Sequence, residues 1–300
     1  MSHKWNYQPP TQEQKEASLS LSGELGISPI LGELLVQRGI ETAAEARKFF
    51  RPQLQDLHDP FLMKDMDVAV DRLNQAMGRK ERILIYGDYD VDGTTAVALV
   101  YKFIQQFYSN IDYYIPDRYS EGYGVSTQGI DFASETGVSL IIVLDCGIKA
   151  VDEITYAKEK GIDFIICDHH VPDNVLPPAV AILNAKREDN TYPYSHLSGC
   201  GVGFKFMQAF AMNNGIDFHQ LTPLLDLVAV SIASDIVPIM GENRILAFYG
   251  LKQLNANPSI GLKAIIDICG LSEKEITMSD IVFKIGPRIN ASGRIQNGKD

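Results

Sequence analysis

No stretch of the sequence holds the about 18 successive apolar residues that a membrane-spanning helix needs. The start, Met1 to Pro10, has no apolar core and is not read as a secretory leader. Cysteine is scarce. Cys146, Cys167, Cys200 and Cys269 stand apart and none forms a C-x-x-C pair, which excludes a zinc knuckle and a disulfide scaffold. Scattered reduced thiols fit a cytoplasmic protein. Basic residues are short as well: 27 Lys and Arg against 38 Asp and Glu, a net charge of −11. That argues against a protein that coats nucleic acid by charge alone. An enzyme acting on phosphates remains open, because bound divalent cations reverse the local sign of a carboxylate nest.

What is present is ordinary globular material. The chain has 300 residues, 45% apolar and 22% charged, enough for roughly two domains and a core that needs no staple. Residues 1–80 read as a helical lead. Ser28 to Gly39 carries Ile30, Leu31, Leu34 and Leu35 at helical spacing, and Thr42 with Glu45 forms a capping box for a helix to Phe50. Asp65 to Met77 is a third amphipathic helix. From Arg82 short apolar strands alternate with helices. Strands are expected at Arg82–Tyr86, Ile111–Ile115, Leu140–Leu144, Asp163–Cys167 and Val180–Leu183, with helices at Thr94–Tyr108, Ser126–Thr136 and Ala150–Lys160. This is the pattern of an α/β fold with a mostly parallel sheet flanked by helices. From about Gly201 the chain reads as helical, at 201–213, 222–233, 243–254, 259–268 and 278–285. The expected organisation is a helical segment 1–80, an α/β core 81–240 and a helical segment 241–300.

Ligands of open parallel sheets bind beyond the carboxyl ends of the strands, and the acids gather there. Gly87-Asp88-Tyr89-Asp90-Val91-Asp92-Gly93 follows the first strand, Asp145-Cys146-Gly147 the third and Asp168-His169-His170 the fourth. Asp235 follows the apolar run Leu224–Ala233. Singly, each has a plain structural reading: alternating Asp and Gly make turns, Asp145 could cap a helix, and a histidine pair can sit on a surface. Together, three strand ends of one sheet supply five carboxylates and two imidazoles, which would repel one another unless cations compensate. Carboxylates with one or two imidazoles suit Mn²⁺ or Mg²⁺, and the ligand number fits two ions of a phosphoester-hydrolysing centre.

Asp88-x-Asp90-x-Asp92-Gly93, Asp145-Cys146-Gly147, Asp168-His169-His170 and Asp235, in this order, resemble the four motifs of the DHH phosphoesterases. The wording resembles the branch of bacterial single-strand-specific 5′→3′ DNA exonucleases that serve repair and recombination. Further stretches are similar to that branch: Leu34-Leu35-x-x-Arg38-Gly39-Ile40, Asp59-Pro60-Phe61, Pro116-Asp117-Arg118-Tyr119-Ser120-Glu121-Gly122-Tyr123-Gly124, Leu197-Ser198-Gly199-x-Gly201-Val202 and Pro287-Arg288-Ile289-Asn290-Ala291. Many other members, among them pyrophosphatases and oligonucleotide phosphatases, place His four residues before Asp90, where this chain has Tyr86. The family also has a second, smaller DHHA1 domain that helps grip the substrate. The sequence, which stops at Asp300, is expected to be a catalytic core without it.

The resemblance implies roles. Asp88 and Asp90 would hold a first Mn²⁺ or Mg²⁺, Asp92, His169 and Asp235 a second, and Asp145 would bridge them. A water activated by the cations would attack. His170 would face the scissile phosphate or protonate the leaving oxygen, with Asp168 orienting a neighbouring imidazole or strand end. Arg288 and Arg294 are candidate phosphate grips, in a stretch with Lys284 and Lys299, and Arg118 is a weaker one. Gly201, within Gly199-x-Gly201-x-Gly203, could offer backbone N–H groups to a phosphate at a helix start. Tyr123, Phe204 and Phe206 could stack bases, though core packing suits most of them better. The implied partners are single-stranded DNA and, by resemblance, a helicase and a single-strand-binding protein; the chain is expected to be a monomer without a membrane role.

Two rivals stand beside this reading. Asp90-Val91-Asp92-Gly93-Thr94-Thr95 matches the opening of haloacid-dehalogenase-type phosphatases, whose first Asp is a covalent nucleophile, but that class has no use for Asp145-Cys146-Gly147 or the double histidine. Non-catalytic DHH scaffolds have decayed motifs, whereas every ligand position here is intact.

Overall fold

The computed structural model describes residues 9–295, with side chains to Gly293. By compactness the chain divides into Met1–Asp56 and Leu57–Asp300. The first unit holds helices α1 (Gln12–Leu25), α2 (Pro29–Val36) and α3 (Ala43–Phe50). Thr42 and Glu45 make the expected capping box at α3. The helix α1 is not among the sequence expectations. It is mostly polar, burying only Ser18, Leu21 and Ser22, so it lacks a strong apolar stripe; its signal was the second capping box, Thr11 with Gln14.

The first α-helix of the second unit is α4 (Met66–Gly78), which the sequence groups with the helical lead. Here it packs against the sheet-side elements β5 (Ala181–Leu183) and α8 (Gly199–Asn213) of the larger unit. Between them lie β1 (Arg82–Gly87), α5 (Val91–Gln105), β2 (Ile111–Tyr114), α6 (Thr127–Glu135), β3 (Val138–Leu144), α7 (Val151–Glu159) and β4 (Asp163–Cys167). The five strands form one sheet in the order β2-β1-β3-β4-β5, parallel throughout. The chain steps from β1 out to β2 and then back past β1 to β3. The connections therefore leave in opposite directions between β1 and β3, the switch point where a parallel sheet opens a crevice.

Side chains alternate along each strand, so both faces must be covered. Leu84, Tyr86, Ile141, Val143, Phe164 and Ile166 cluster with Ile130 and Ala133 of α6 and Ile154 and Ala157 of α7. The helix α5 packs against β1 and β3, α8 against β3 and β4, and the two helices against each other. Each fully buried Leu, Ile or Val contributes about 1.5–3 kcal/mol, and this double-sided core holds the strand ends rigid. The chain continues through α9 (Leu225–Ser234), α10 (Gly241–Ala256), α11 (Ile260–Ile268), α12 (Met278–Asp280), a π-helical segment Ile281–Ile285 and α13 (Gly286–Ile295). The last helix extends the expected one at 278–285 by ten residues. Among the described residues no helix is long and apolar enough to cross a membrane.

Candidate metal centre

Strand register brings the acids together. Gly87 pairs with Leu144, and Leu144 with Cys167. Asp88, Asp145 and Asp168 therefore leave the sheet side by side at its carboxyl edge. The backbone continues the ladder for one step, with Asp145 N–H donating to Cys167 O at 2.9 Å and Asp168 N–H to Leu183 O at 3.1 Å. Asp145 then turns into the left-handed region at φ 61°, followed by Gly147 at φ 101°. Asp tolerates that conformation better than most residues. Asp145 is thus no helix cap, because α7 starts only at Val151 and its N-cap is Ala150.

The helix α5 starts at Val91, three residues before the sequence expectation, because Asp90 caps it by accepting Gly93 N–H at 2.9 Å. Asp92 therefore stands in its first turn and is buried. There it meets the start of α8: Gly199 N–H donates to Asp92 Oδ2 and Cys200 N–H to Oδ1, both at 2.7 Å. Gly201 N–H goes to the cap, Ser198 Oγ, at 3.1 Å. The expected phosphate cradle is corrected accordingly: this helix start grips a carboxylate of its own chain, and Gly201 is buried with its N–H engaged. The glycine run serves close packing. A Cβ at Gly199 would stand 2.5 Å from Asp145 Oδ1, and one at Gly203 3.2 Å from Leu144.

His169 lies at the centre. Its Nε2 is 3.2 Å from Asp145 Oδ1, 3.6 Å from Asp235 Oδ2 and 3.7 Å from Asp92 Oδ2. Asp92, His169 and Asp235 can each present a ligand atom within 4.8 Å of the others, and so can Asp145, His169 and His170. Asp88 Oδ2, Asp145 Oδ1 and Asp235 Oδ2 are buried without a hydrogen-bond partner. Burial, then the charge of Asp90, pushes the Asp88 carboxyl up to about 7. Burial also raises Asp145 well above the carboxylate range, helped by the charges of Asp92, Asp90, Asp168 and Asp235. Asp92 is raised too, by burial first; His169 pulls the other way and Asp235 adds to the rise. Orphaned, mutually repelling carboxylate oxygens around an imidazole are the donor set of a hard divalent cation, so these residues fit Mn²⁺ or Mg²⁺.

The second histidine is held differently. His170 Nδ1 is 2.8 Å from Asp168 Oδ1, an oxygen that also accepts the N–H groups of His169 and His170, while Ile148 N–H donates to Oδ2 at 3.0 Å. Burial works against the Asp168 carboxylate, but the His170 bond and charge outweigh it and hold its pKa low. The Asp168 bond in turn raises His170. The other ring nitrogen, Nε2, faces Tyr123 OH at 3.4 Å. Beside it opens a cavity of about 470 Å³ lined in part by Tyr123, Cys146, Lys149, Asp168 and His170.

Other candidates fall elsewhere. Phe204 and Phe206 are buried in α8 and cannot stack on a base. Arg118 lies over the Tyr89 ring, 5.1 Å from its centre, and Tyr89 meets Tyr123 edge to face. Arg288 is exposed and its guanidinium donates to Lys284 O at 2.8 Å. The Arg294 side chain and Lys299 lie outside the described residues. The backbone of α13 does approach the first motif: a Cβ at Gly293 would stand 3.0 Å from Tyr89 O. Tyr86, where other relatives have a histidine, is no ligand. Its OH donates to Gly124 O at 2.9 Å and accepts Ser126 N–H at 3.1 Å, bracing the loop whose Gly124 N–H faces Asp88.

A crevice at the switch point of a parallel sheet, lined by acids and two histidines, defines a site of the divalent-cation-binding class. The family model "DHH family, N-terminal domain" matches residues 82–232, and the chain belongs to the DHH family. It is 42% identical to the single-stranded-DNA-specific exonuclease RecJ of Bacillus subtilis, over 98% of this chain and 36% of that protein. To the RecJ of Escherichia coli it is 34% identical, over 90% of this chain and 48% of that one. The chain thus spans between about a third and a half of the length of these relatives. Among solved structures, RecJ of Thermus thermophilus in complex with Mn²⁺ superposes with a TM-score of 0.78 at 26% identity, over 97% of this chain and 40% of that one. An exonuclease RecJ bound to manganese gives 0.72 at 30%, over 82% of this chain and 61% of that one.

Proposed function

We propose that this chain carries the catalytic centre of a metal-dependent, single-strand-specific 5′→3′ DNA exonuclease. The observation that supports it most is the set of three buried carboxylate oxygens without a hydrogen-bond partner, on Asp88, Asp145 and Asp235, the latter two within 3.2 and 3.6 Å of His169 Nε2. The substrate class rests on the likeness to the RecJ exonucleases, and the polarity on the family resemblance. Asp88, Asp90, Asp92, Asp145, His169 and Asp235 would hold two divalent cations, Asp88 and Asp90 contributing to one and Asp92, His169 and Asp235 to the other, with Asp145 available to either. Mn²⁺ or Mg²⁺ held there would neutralise the carboxylates and supply electrostatic activation of phosphate and water.

The chain's own groups do the rest. Asp168 favours the protonated form of the His170 ring and fixes it through Nδ1, leaving Nε2 turned to the opening beside Tyr123. As water joins phosphorus, releasing one proton to solvent, and the P–O3′ bond breaks, Nε2 gives its proton to the departing 3′ oxygen and regains one from solvent afterwards. Arg288 and Arg294 are the candidate grips on the phosphate backbone. Residues 81–240 act as the catalytic core, and 241–300 lead towards a second domain of the DHHA1 kind. A cytoplasmic monomer working with a helicase and a single-strand-binding protein completes the proposal.

The test is a digestion series with oligonucleotides labelled at either end, comparing single-stranded DNA, duplex DNA and RNA in Mn²⁺ and in EDTA. Loss of the 5′ label first, from single-stranded DNA and only with metal, is expected. Activity in EDTA, release of terminal phosphate alone, or 3′-label loss first overturns the reading.

A further inference from the structure

The run from Leu225 to Ala233 in α9 is buried throughout, and it carries two polar residues, Asp226 and Ser231. A hydroxyl sunk in such a helix costs free energy unless it is bonded. Ser231 Oγ lies 2.7 Å from Asp92 Oδ1 and 2.7 Å from Ser198 Oγ. Ser198 Oγ already accepts Gly201 N–H. Each hydroxyl has one proton, so the arrangement that satisfies all of them runs in one direction: Gly201 N–H to Ser198, Ser198 O–H to Ser231, Ser231 O–H to Asp92. With Cys200 N–H, this gives Asp92 Oδ1 two donors, while Oδ2 has only Gly199 N–H and faces His169. The carbonyl of the same Ser231 accepts Asp235 N–H at 3.0 Å. One residue thus touches the side chain of Asp92 and the backbone of Asp235, two members of one candidate ligand group.

We infer that Ser231 is a positioning residue for this ligand pair: through its hydroxyl it fixes which oxygen of Asp92 is offered to the cation, in register with Asp235. The inference rests on the metal reading proposed above. The partners that orient a ligand are commonly worth about 10–100-fold in metal affinity.

Mn²⁺ affinity by titration calorimetry, the spin-resonance spectrum of bound Mn²⁺ and the melting midpoint in EDTA are compared for the whole chain and its variants. Ser231→Ala is expected to bind Mn²⁺ about 10–100-fold more weakly with an altered spectrum, and Ser231→Thr, which keeps the hydroxyl, to restore both. Ser198→Ala removes the helix cap but leaves Ser231 able to donate, so its midpoint falls while affinity stays close to wild type. Wild-type affinity in Ser231→Ala overturns the inference. So does a Ser231→Ala loss that Thr repairs in melting but not in affinity. An Asp92→Asn variant that binds as well as wild type overturns the metal reading itself, and the inference with it.

Discussion

Asp92 and Asp145 are expected to share one cation, yet replacing them should move the stability of the metal-free protein in opposite directions. Asp92 is buried and accepts from Gly199 N–H, Cys200 N–H and Ser231 Oγ, each at 2.7 Å. Asp92→Ala strands these donors where water does not reach. Each orphaned buried group costs about 1–3 kcal/mol, so the loss is roughly 3–6 kcal/mol with partial relaxation, a large share of the roughly 5–15 kcal/mol typical of a whole protein. Asp145 is buried too, but its Oδ1 has no hydrogen-bond partner and it lies among like charges. Two such charges about 6 Å apart repel by about 3 kcal/mol at an effective dielectric of about 20. Protonation relieves part of that, and Asn tolerates the left-handed backbone that Asp145 adopts. Asp145→Asn should therefore stabilise the metal-free protein by about 1–3 kcal/mol while abolishing most Mn²⁺ stabilisation. Urea denaturation at pH 8 in EDTA, repeated with Mn²⁺, reads both effects. Two variants destabilised alike in EDTA would show that these acids do not divide into a clasped one and a repelled one.

The pH dependence of the metal-free protein has a definite sign. Asp88 has its pKa raised to about 7 from an ordinary 3.8. Between those values the folded state binds more protons than the unfolded chain, so stability falls as pH rises through the window, by up to about 4 kcal/mol from this group. Unfolding in EDTA at pH 5 and pH 8 checks it; Asp88→Asn should flatten the decline, and stability rising towards pH 8 would contradict it. His169→Ala should lose Mn²⁺ affinity and recover activity in excess metal, whereas His170→Ala should keep affinity and lose about 10²–10⁴ in turnover; the reverse pattern in calorimetry and single-turnover assays would reassign the pair. With a net charge of −11, the chain should bind single-stranded DNA weakly, with a salt slope of about −0.7 per phosphate, and Arg288→Ala should reduce that slope by about one contact without altering Mn²⁺ binding. A steep, many-contact slope from this chain alone would refute that expectation.

Much of this protein was legible locally. The runs Arg82–Tyr86, Leu140–Leu144 and Asp163–Cys167 are apolar because both faces of the sheet are covered, and an acid follows each within two residues, so the strands and Asp88, Asp145 and Asp168 could be read from neighbouring residues. The capping box at Thr42 is equally local. What the tertiary structure decided is who meets whom. The donors that clasp Asp92 come from 107 to 139 residues away, on two helices with no sequence mark of that duty. The glycine run of α8 looks the same in sequence whether it cradles a phosphate or lets Asp145 and Leu144 pack close; only the packed neighbours distinguish the two. Tyr86, at the head of the first acidic motif, became a brace once the loop at Gly124 folded over it. Propensity, periodicity and caps act over a few residues and are written in order along the chain. The pairing of a buried carboxylate with its donors depends on which surfaces are pressed together after strand order and helix packing are settled.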